Sequence, residues 1–240
     1  MRIVGGRCGE RMTQGLIVAL DLPSRESRKI VRVLGDAVDF YKVPPAISLE
    51  DPSFIPWLTR RGKRIFLDCK WHDIPSQVKR SVTAAGQMGL TSITVHTGGG
   101  RRMMEAALSV SPRPLVWGVT VLTSLTTPDL REVGVSGSAR RQVLRLARLS
   151  QSLGLDGLVC SPLEVAFLRA EGISLPLITP GITYGGREGA DQRRTATPAQ
   201  AWGAGANLLV VGRSVLESQN PSATVKAILD EKRSSFRKPE

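Results

Sequence analysis

The sequence predicts a single-domain α/β protein built as a (β/α)8 TIM barrel. Eight short apolar segments follow one another along the 240 residues, and loops or stretches with helical periodicity separate them. Apolar strands that alternate with helices form a parallel sheet covered on both faces. Eight such units in a domain of this length favour closure into a barrel. An open doubly wound sheet is the alternative, but no GxGxxG motif follows the first apolar segment.

The element boundaries follow from periodicity and from residues that begin or end helices. The predicted strands are 16–20, 38–43, 64–68, 92–96, 115–121, 157–160, 175–179 and 207–211. Helical periodicity predicts helices over 24–34, 75–88, 139–153 and 163–171. Ser24, Ser138 and Pro162 are residue types that begin helices. Glycines directly after periodic stretches indicate helix ends, at Gly35, Gly62, Gly89, Gly154 and Gly172.

The same pattern divides the chain into three parts. We expect residues 16–230 to form the barrel and residues 231–240 to be a basic C-terminal tail. Residues 1–15 are expected to be an N-terminal extension, disordered or preceding a natural start at Met12.

Composition excludes several classes of function. No apolar run approaches 20 residues, and the first 15 residues lack the apolar core of a signal peptide, so we expect no membrane partner and no export. Three cysteines without CxxC or His/Cys spacing predict neither disulfides nor a zinc site, which favours the cytoplasm. The net charge of +12 is typical of nucleic-acid binders, but the basic residues are dispersed and only 5% of residues are aromatic. We therefore interpret the charge as a solvated surface that steers a small anionic substrate, and expect no nucleic-acid partner.

Polar residues recur where the predicted strands end. In a barrel the carboxyl ends of the strands form one rim, and catalytic residues lie there. The strand ends supply Asp21, Lys42, Asp68, Lys70, His96, Thr123, Ser124, Gly212 and Arg213. The strand bodies are largely apolar, so this pattern predicts an active site at that rim.

The third strand end carries the densest group of charges. Asp68 and Lys70 are two residues apart, so in a regular strand they share a face while Cys69 points away. Asp73 follows in the next loop. Two carboxylates around one ammonium are costly to bury, and such a cluster therefore indicates a site more than a core.

Two segments near the C-terminus predict a phosphate site. A buried strand ends in Gly212 and Arg213, where the backbone can approach an anion and a guanidinium can clamp it. Residues 179–192 contain four glycines and are typical of a lid over a bound ligand. Loops after strands seven and eight are frequent phosphate sites in barrels.

These residues resemble the orotidine 5′-phosphate decarboxylase family over nearly the whole chain. The family motif D-x-K-x-x-D-I-P is present as Asp68, Lys70, Asp73, Ile74 and Pro75. Supporting segments are Tyr41-Lys42-Val43, Thr94-Val95-His96, Val119 to Ser124, Thr179-Pro180-Gly181-Ile182 and Asp191-Gln192. The resemblance implies a homodimeric barrel that converts orotidine 5′-phosphate to uridine 5′-phosphate and CO₂, the last step of pyrimidine nucleotide synthesis, without cofactor or metal.

The resemblance also implies roles for individual residues. Lys70 would protonate C6 of the pyrimidine, Asp68 would lie beside the departing carboxylate, and Lys42 would join them in an alternating charge array. Asp73 would enter the site of the neighbouring subunit. Further substrate contacts would come from Asp21 at the ribose, Thr123 and Ser124 at the pyrimidine, and Gln192, Gly212 and Arg213 at the phosphate, with Ile74 as another substrate contact.

The chain departs from the family pattern at two contact positions. Gln77 replaces a threonine that reaches the partner's ribose site, and we expect its amide to bond there. Thr183 stands where bacterial members carry a phosphate-binding arginine, and we expect it to keep a substrate contact. Our hypothesis is that Arg187, within the glycine-rich segment, supplies the missing guanidinium.

Two other functions remain as alternatives. Magnesium-dependent sugar-phosphate decarboxylases and hexulose-phosphate synthases share the Asp-x-Lys-x-x-Asp frame, but they lack the following Ile-Pro and have an acidic metal ligand near strand two, where this chain has Lys42. A nonenzymatic nucleic-acid-binding protein would explain the basic charge alone, and it predicts strongly salt-dependent binding.

Overall fold

In the computed structural model, which describes residues 15–186 and 194–234, eight parallel strands close into one barrel. They are β1 (Gly15–Ala19), β2 (Phe40–Val43), β3 (Arg64–Trp71), β4 (Ser92–His96), β5 (Leu115–Val119), β6 (Gly157–Val159), β7 (Leu177–Thr179) and β8 (Leu208–Val211). Each strand pairs with the next one along the chain, and β1 also pairs with β8, with Gly15 opposite Leu208. The predicted TIM barrel is confirmed.

Helices connect the strands and cover the outside of the barrel. They are α1 (Ser24–Leu34), α2 (Pro45–Glu50), α3 (Phe54–Thr59), α4 (Pro75–Gln87), α5 (Gly100–Leu108), α6 (Thr127–Glu132), α7 (Ala139–Leu153), α8 (Val165–Ala170), α9 (Pro198–Gly203), α10 (Arg213–Leu216) and α11 (Pro221–Ser234). Short 3-10 turns cover Gly35–Ala37, Thr97–Gly99 and Pro162–Glu164. No described helix has the length and apolar character needed to cross a membrane.

Alternation along the strands produces two apolar layers. Outward side chains such as Val18, Tyr41 and Ile93 belong to the large cluster that packs against the helices. Inward side chains form a second cluster inside the barrel, comprising Ile17, Ala19, Phe40, Phe66, Trp117, Ile178, Leu208 and Val210. The Trp117 ring lies 4.6 Å from Phe66 and 6.1 Å from Phe40, centroid to centroid. This packed interior forms a floor below the carboxyl ends of the strands.

Most of the predicted boundaries match the structure within two residues. The helix over 139–153 is confirmed with both its ends: Ser138 accepts a hydrogen bond from the Arg141 backbone N–H at 3.3 Å, and Gly154 has the left-handed conformation with φ 73°. Gly154 allows this conformation because it lacks a Cβ. The predicted helix over 163–171 instead begins as the 3-10 turn, because Ser161 and Glu164 form a capping box at its start.

The two ends of the chain extend the regular structure beyond the predicted barrel limits. Gly15 already belongs to β1, and α11 continues to Ser234, so the first four residues of the predicted tail are helical. The rest of the predicted extension and tail lies outside the described residues.

Candidate active site

A cavity of about 500 Å³ opens at the carboxyl ends of the strands, above the packed interior of the barrel. Its apolar wall includes Val119 together with Phe66, Val159 and Val210, which belong to or pack against the inward cluster of the barrel. Eight of the predicted site residues line it: Asp21, Lys42, Asp68, Lys70, Thr123, Thr183, Gly212 and Arg213. The strand ends therefore assemble one polar cavity, as the barrel fold predicts.

Four charged side chains cross one side of this cavity in alternating order. The Lys42 Nζ atom lies 2.8 Å from Asp21 Oδ1 and 3.7 Å from Asp68 Oδ2. The Lys70 Nζ atom lies 2.7 Å from the same Asp68 oxygen. Asp68 is the most buried of the four, with 10% of its side chain exposed, whereas 37% of the Lys70 side chain remains accessible. The Lys70 ammonium is thus held by a carboxylate and is also accessible from the cavity.

The Asp68–Lys70 contact does not come from a regular strand. β3 runs to Trp71, three residues past its predicted end, and its pairing with β4 shifts between Leu67 and Trp71. Lys70 has φ 51°, and among the described residues it is the non-glycine residue with positive φ. A bulge of this kind redirects side chains at a strand end. The sequence predicts that Asp68 and Lys70 share a face of a regular strand; in the structure they contact each other through a bulge instead of simple alternation.

Thr94 on β4 contacts both members of this pair. Its Oγ1 donates a hydrogen bond to Asp68 Oδ1 at 2.8 Å and accepts one from the Lys70 backbone N–H at 2.9 Å. Sequence reasoning did not select Thr94 as a site residue, because it lies in the body of an apolar strand.

Three predicted site residues at and after the end of the D-x-K-x-x-D-I-P motif are exposed and do not line the cavity. Asp73 is exposed, and its Oδ1 accepts a hydrogen bond from the Ile74 backbone N–H at 2.6 Å. Ile74 is 61% exposed, and Gln77 is exposed on α4. Within the described part of the chain, these three residues are absent from the cavity lining.

The phosphate end of the predicted site is partly assembled in the structure. Gly212 lies beside Asp21, since a Cβ on this glycine would come 3.5 Å from Asp21 Oδ2. Arg213 follows as an exposed residue at the start of α10. Thr183 also lines the cavity, and its backbone N–H donates to the Ala196 carbonyl at 3.0 Å. Gln192 and Arg187 lie outside the described residues.

The loop after β5 is held by a buried ion pair that sequence reasoning missed. Arg194 forms an ion pair with Glu164, and its Nη2 donates to the Leu122 carbonyl at 2.9 Å. Its Nε donates to the Thr123 carbonyl at 3.4 Å. Burial raises the pKa of the Glu164 carboxyl above its ordinary value, although Arg194 opposes this. Thr123 lines the cavity, and Ser124 after it is exposed.

Burial and neighbouring charges shift the pKa values of one histidine and two cysteines near the site. The His96 and His72 rings lie 5.6 Å apart, and burial, followed by His72 and Lys70, lowers the pKa of His96. Burial raises the pKa of the Cys69 thiol to about 12 and raises that of Cys160 still further. Both thiols are free. Across residues 15–186 and 194–234, no group of three His, Cys, Asp or Glu side chains is arranged to hold a metal ion.

Comparison with known proteins assigns this barrel to a family. The model of the family described as "Orotidine 5'-phosphate decarboxylase / HUMPS" matches residues 14–228. A Pseudomonas putida (strain GB-1) protein named orotidine 5′-phosphate decarboxylase is 43% identical over 223 residues, which cover 90% of this chain and 96% of that protein. The chain belongs to the orotidine 5′-phosphate decarboxylase / HUMPS family.

Other relatives of the family agree with this assignment. An orotidine 5′-phosphate decarboxylase from Hydrogenovibrio crunogenus is 42% identical over 220 residues, covering 89% of this chain and 93% of the relative. The crystal structure of the Lactobacillus acidophilus orotidine 5′-phosphate decarboxylase is 36% identical, with a TM-score of 0.80, covering 91% of this chain and 99% of that one. The Pyrococcus horikoshii decarboxylase, at 23% identity and a TM-score of 0.71, shares the fold.

The family assignment confirms the resemblance found in the sequence. The chain is an enzyme, a carboxy-lyase of the orotidine 5′-phosphate decarboxylase family. The alternative of a nonenzymatic nucleic-acid-binding protein is therefore wrong.

Proposed function

We propose that this chain converts orotidine 5′-phosphate to uridine 5′-phosphate and CO₂, using its own side chains and neither cofactor nor metal ion. The observation that carries the proposal is the row of alternating charges that ends in the accessible Lys70 ammonium. This ammonium lies 2.7 Å from Asp68 in a cavity that Arg213 also lines. A substrate with a carboxylate at one end and a phosphate at the other fits a cavity with these features.

The reaction needs a fixed positive charge at the reacting carbon. When CO₂ leaves, the electron pair of the broken C–C bond stays on C6, and water stabilises such a carbanion poorly. The Lys70 ammonium is already oriented by Asp68, so little reorganisation is needed as the charge develops. Lys70 then transfers a proton from Nζ to C6, which gives the product and a neutral amine that solvent reprotonates.

Asp68 also affects the substrate before CO₂ leaves. We assign it a place beside the substrate carboxylate, where repulsion between the two negative groups raises the energy of the bound substrate. Lys42 contacts both Asp21 and Asp68. This contact keeps the two protein carboxylates in place against that repulsion.

Binding energy from the distant phosphate supports the chemistry. Arg213 and Gly212 are proposed to hold the phosphate together with Gln192, and Thr183 lines the same cavity. Asp21 is assigned to the ribose. Energy from these contacts can be used to hold the pyrimidine against Lys70, because catalysis gains from contacts remote from the reacting atom. The cavity of about 500 Å³ lies within the range of small-molecule sites.

The pyrimidine is assigned to the loop after β5. Thr123 lines the cavity there, and Ser124 is the adjacent candidate contact. The Arg194 guanidinium fixes the Thr123 carbonyl, so this loop has a defined position next to the ring.

We also propose that two copies of the chain share each active site. Asp73 and Ile74 of the motif, and Gln77 just after it, are predicted site residues yet are exposed on their own subunit. A two-fold dimer would place them at the partner's cavity, with Asp73 near the partner's charge row. The free thiols of Cys69 and Cys160 are consistent with the cytoplasm as the place where such a dimer works.

The magnesium-dependent branch of the family is the second candidate. In this chain the Lys42 ammonium lies between the carboxylates of Asp21 and Asp68, where a divalent ion would otherwise find its ligands. A cation at that position would be repelled by Lys42. The geometry therefore favours the metal-independent decarboxylase.

An ultraviolet assay with the purified protein tests the proposal. Orotidine 5′-phosphate should disappear with equal amounts of uridine 5′-phosphate and CO₂ formed, and treatment with a chelator should leave the rate unchanged. Loss of this activity with the chelator, restored by magnesium, would contradict the metal-independent reaction. Absence of turnover in every condition would contradict the proposed function.

A further inference from the structure

The β3 bulge leaves the strand pairing incomplete at the position of the catalytic pair. Phe66 lies opposite Ser92 and Leu67 opposite Ile93, but the next pair is Trp71 with Val95. Between these two pairs the chain advances by four residues in β3, from Leu67 to Trp71, but by only two residues in β4, from Ile93 to Val95. Thr94 lies in this interval on the β4 side.

The Thr94 hydroxyl takes the place of a missing ladder contact. It accepts the hydrogen bond of the Lys70 backbone N–H at 2.9 Å, a donor that a regular parallel strand would give to a backbone carbonyl. The same hydroxyl uses its only proton to donate to Asp68 Oδ1 at 2.8 Å. Thr94 is completely buried, so water does not compete for either bond.

The two oxygens of the Asp68 carboxylate have different partners. Oδ1 is held by Thr94, while Oδ2 faces the two ammonium groups, at 2.7 Å from Lys70 and 3.7 Å from Lys42. The carboxylate plane is therefore fixed from the side opposite the cations. At the same time the Lys70 backbone is held at φ 51°, a conformation that side chains other than glycine rarely adopt.

We propose that Thr94 is a positioning residue that fixes both the Asp68 carboxylate and the left-handed backbone of Lys70, so that the ammonium points into the cavity. This inference rests on the proposed decarboxylation for its kinetic consequence. Its structural consequence is independent of the reaction: without the hydroxyl, Lys70 loses its backbone partner and Asp68 loses the contact at Oδ1.

The test compares three variants of two neighbouring inward residues on β4. Thr94→Val keeps the shape and removes the hydroxyl, whereas Thr94→Ser keeps the hydroxyl. Ser92→Ala is the matched control, because the Ser92 hydroxyl is also buried on this face but has no hydrogen-bond partner among the described residues.

Steady-state kinetics should separate positioning from general damage. We expect Thr94→Val to lower kcat by about 10- to 100-fold, the usual effect of losing a hydrogen bond to a charged group. The KM should change by less than about threefold, because the phosphate contacts remain. Thr94→Ser and Ser92→Ala should keep kcat within about threefold of the wild type. Equal losses in Thr94→Val and Ser92→Ala, or a wild-type kcat in Thr94→Val, would overturn the proposal.

A crystal structure of Thr94→Val tests the positioning of Asp68 and Lys70 even if the wild type does not decarboxylate orotidine 5′-phosphate. We expect Lys70 to leave the left-handed region or its Nζ to move out of contact with Asp68. If both features persist unchanged, Thr94 does not position the pair. Should Thr94→Val fail to fold, Thr94→Ala, which is smaller and lacks the same hydroxyl, is measured in its place with the same expected outcomes.

Discussion

A dimer built from two different inactive chains tests the shared site quantitatively. One chain carries Lys70→Ala and the other carries Asp73→Ala, each with its own affinity tag, so that the mixed dimer can be purified after co-expression. If Asp73 enters the partner's cavity, one of the two sites in the mixed dimer has both substitutions and the other has neither. An isologous two-fold dimer should therefore recover about half of the wild-type kcat per dimer.

The structure gives the reason for this expectation. Asp73 is exposed, and its Oδ1 accepts a hydrogen bond from the adjacent Ile74 backbone N–H. Within the described residues, the ion pairs of Asp68 are those with Lys42 and Lys70. In the proposed shared site, the second carboxylate beside Lys70 is Asp73 of the other chain. Each mutant homodimer should be nearly inactive, because every site in it lacks one of the two charged groups.

The assay is the loss of orotidine 5′-phosphate absorbance, with tandem affinity purification to remove homodimers. A mixed dimer of Lys70→Ala with the double variant Lys70→Ala/Asp73→Ala is the matched control, because neither of its sites has Lys70. If the first mixed dimer is as inactive as this control, Asp73 acts within its own chain. If Asp73→Ala alone is fully active, Asp73 has no catalytic role.

Three further predictions concern binding, packing and thiol chemistry. Arg213→Ala should lower kcat/KM by about 10- to 100-fold, mainly through KM, because the phosphate loses a charge-assisted contact; an unchanged KM in steady-state assays would disprove the phosphate assignment. Gly157→Ala should lower the free energy of unfolding by about 1–3 kcal/mol in urea titrations, as the typical cost of overpacking a core. The reason is that the new Cβ would lie 2.8 Å from Ile178 Cδ1 and 3.0 Å from Trp117 Cδ1. An unchanged free energy of unfolding would show that these side chains move aside without cost. With its pKa at about 12, Cys69 has a thiolate fraction of about one in ten thousand at pH 8. Iodoacetamide should therefore leave Cys69 unmodified in peptide maps of the native protein, and the thiolate fraction should grow as the pH rises toward 12. Rapid labelling of Cys69 in the native protein would contradict this prediction.

The barrel was predictable because its strands alternate in a simple way. Outward residues such as Val18 and inward residues such as Ile17 are both apolar, so each strand reads as a continuous apolar run bounded by glycines and polar residues. Strand ends meet at one rim in a closed parallel barrel. The strand ends therefore predict one rim for residues as distant in sequence as Asp21 and Arg213, and both line the cavity.

The parts that sequence did not reveal depend on contacts between strands. Thr94 looks like an ordinary strand residue until β3 and β4 are paired and the bulge at Lys70 is seen. The Arg194–Glu164 pair joins residues that are 30 positions apart, and neither belongs to a recognisable motif. Local patterns encode the alternation and the strand ends, whereas these side chains acquire their roles through tertiary pairing.

The proton-donor role of Lys70 is the central claim, and its most direct test is the turnover of Lys70→Ala. The variant should bind uridine 5′-phosphate with an affinity near that of the wild type, since the phosphate contacts are intact, while kcat for orotidine 5′-phosphate falls by many orders of magnitude. Turnover close to the wild-type value in a folded Lys70→Ala protein would show that another group stabilises and protonates C6.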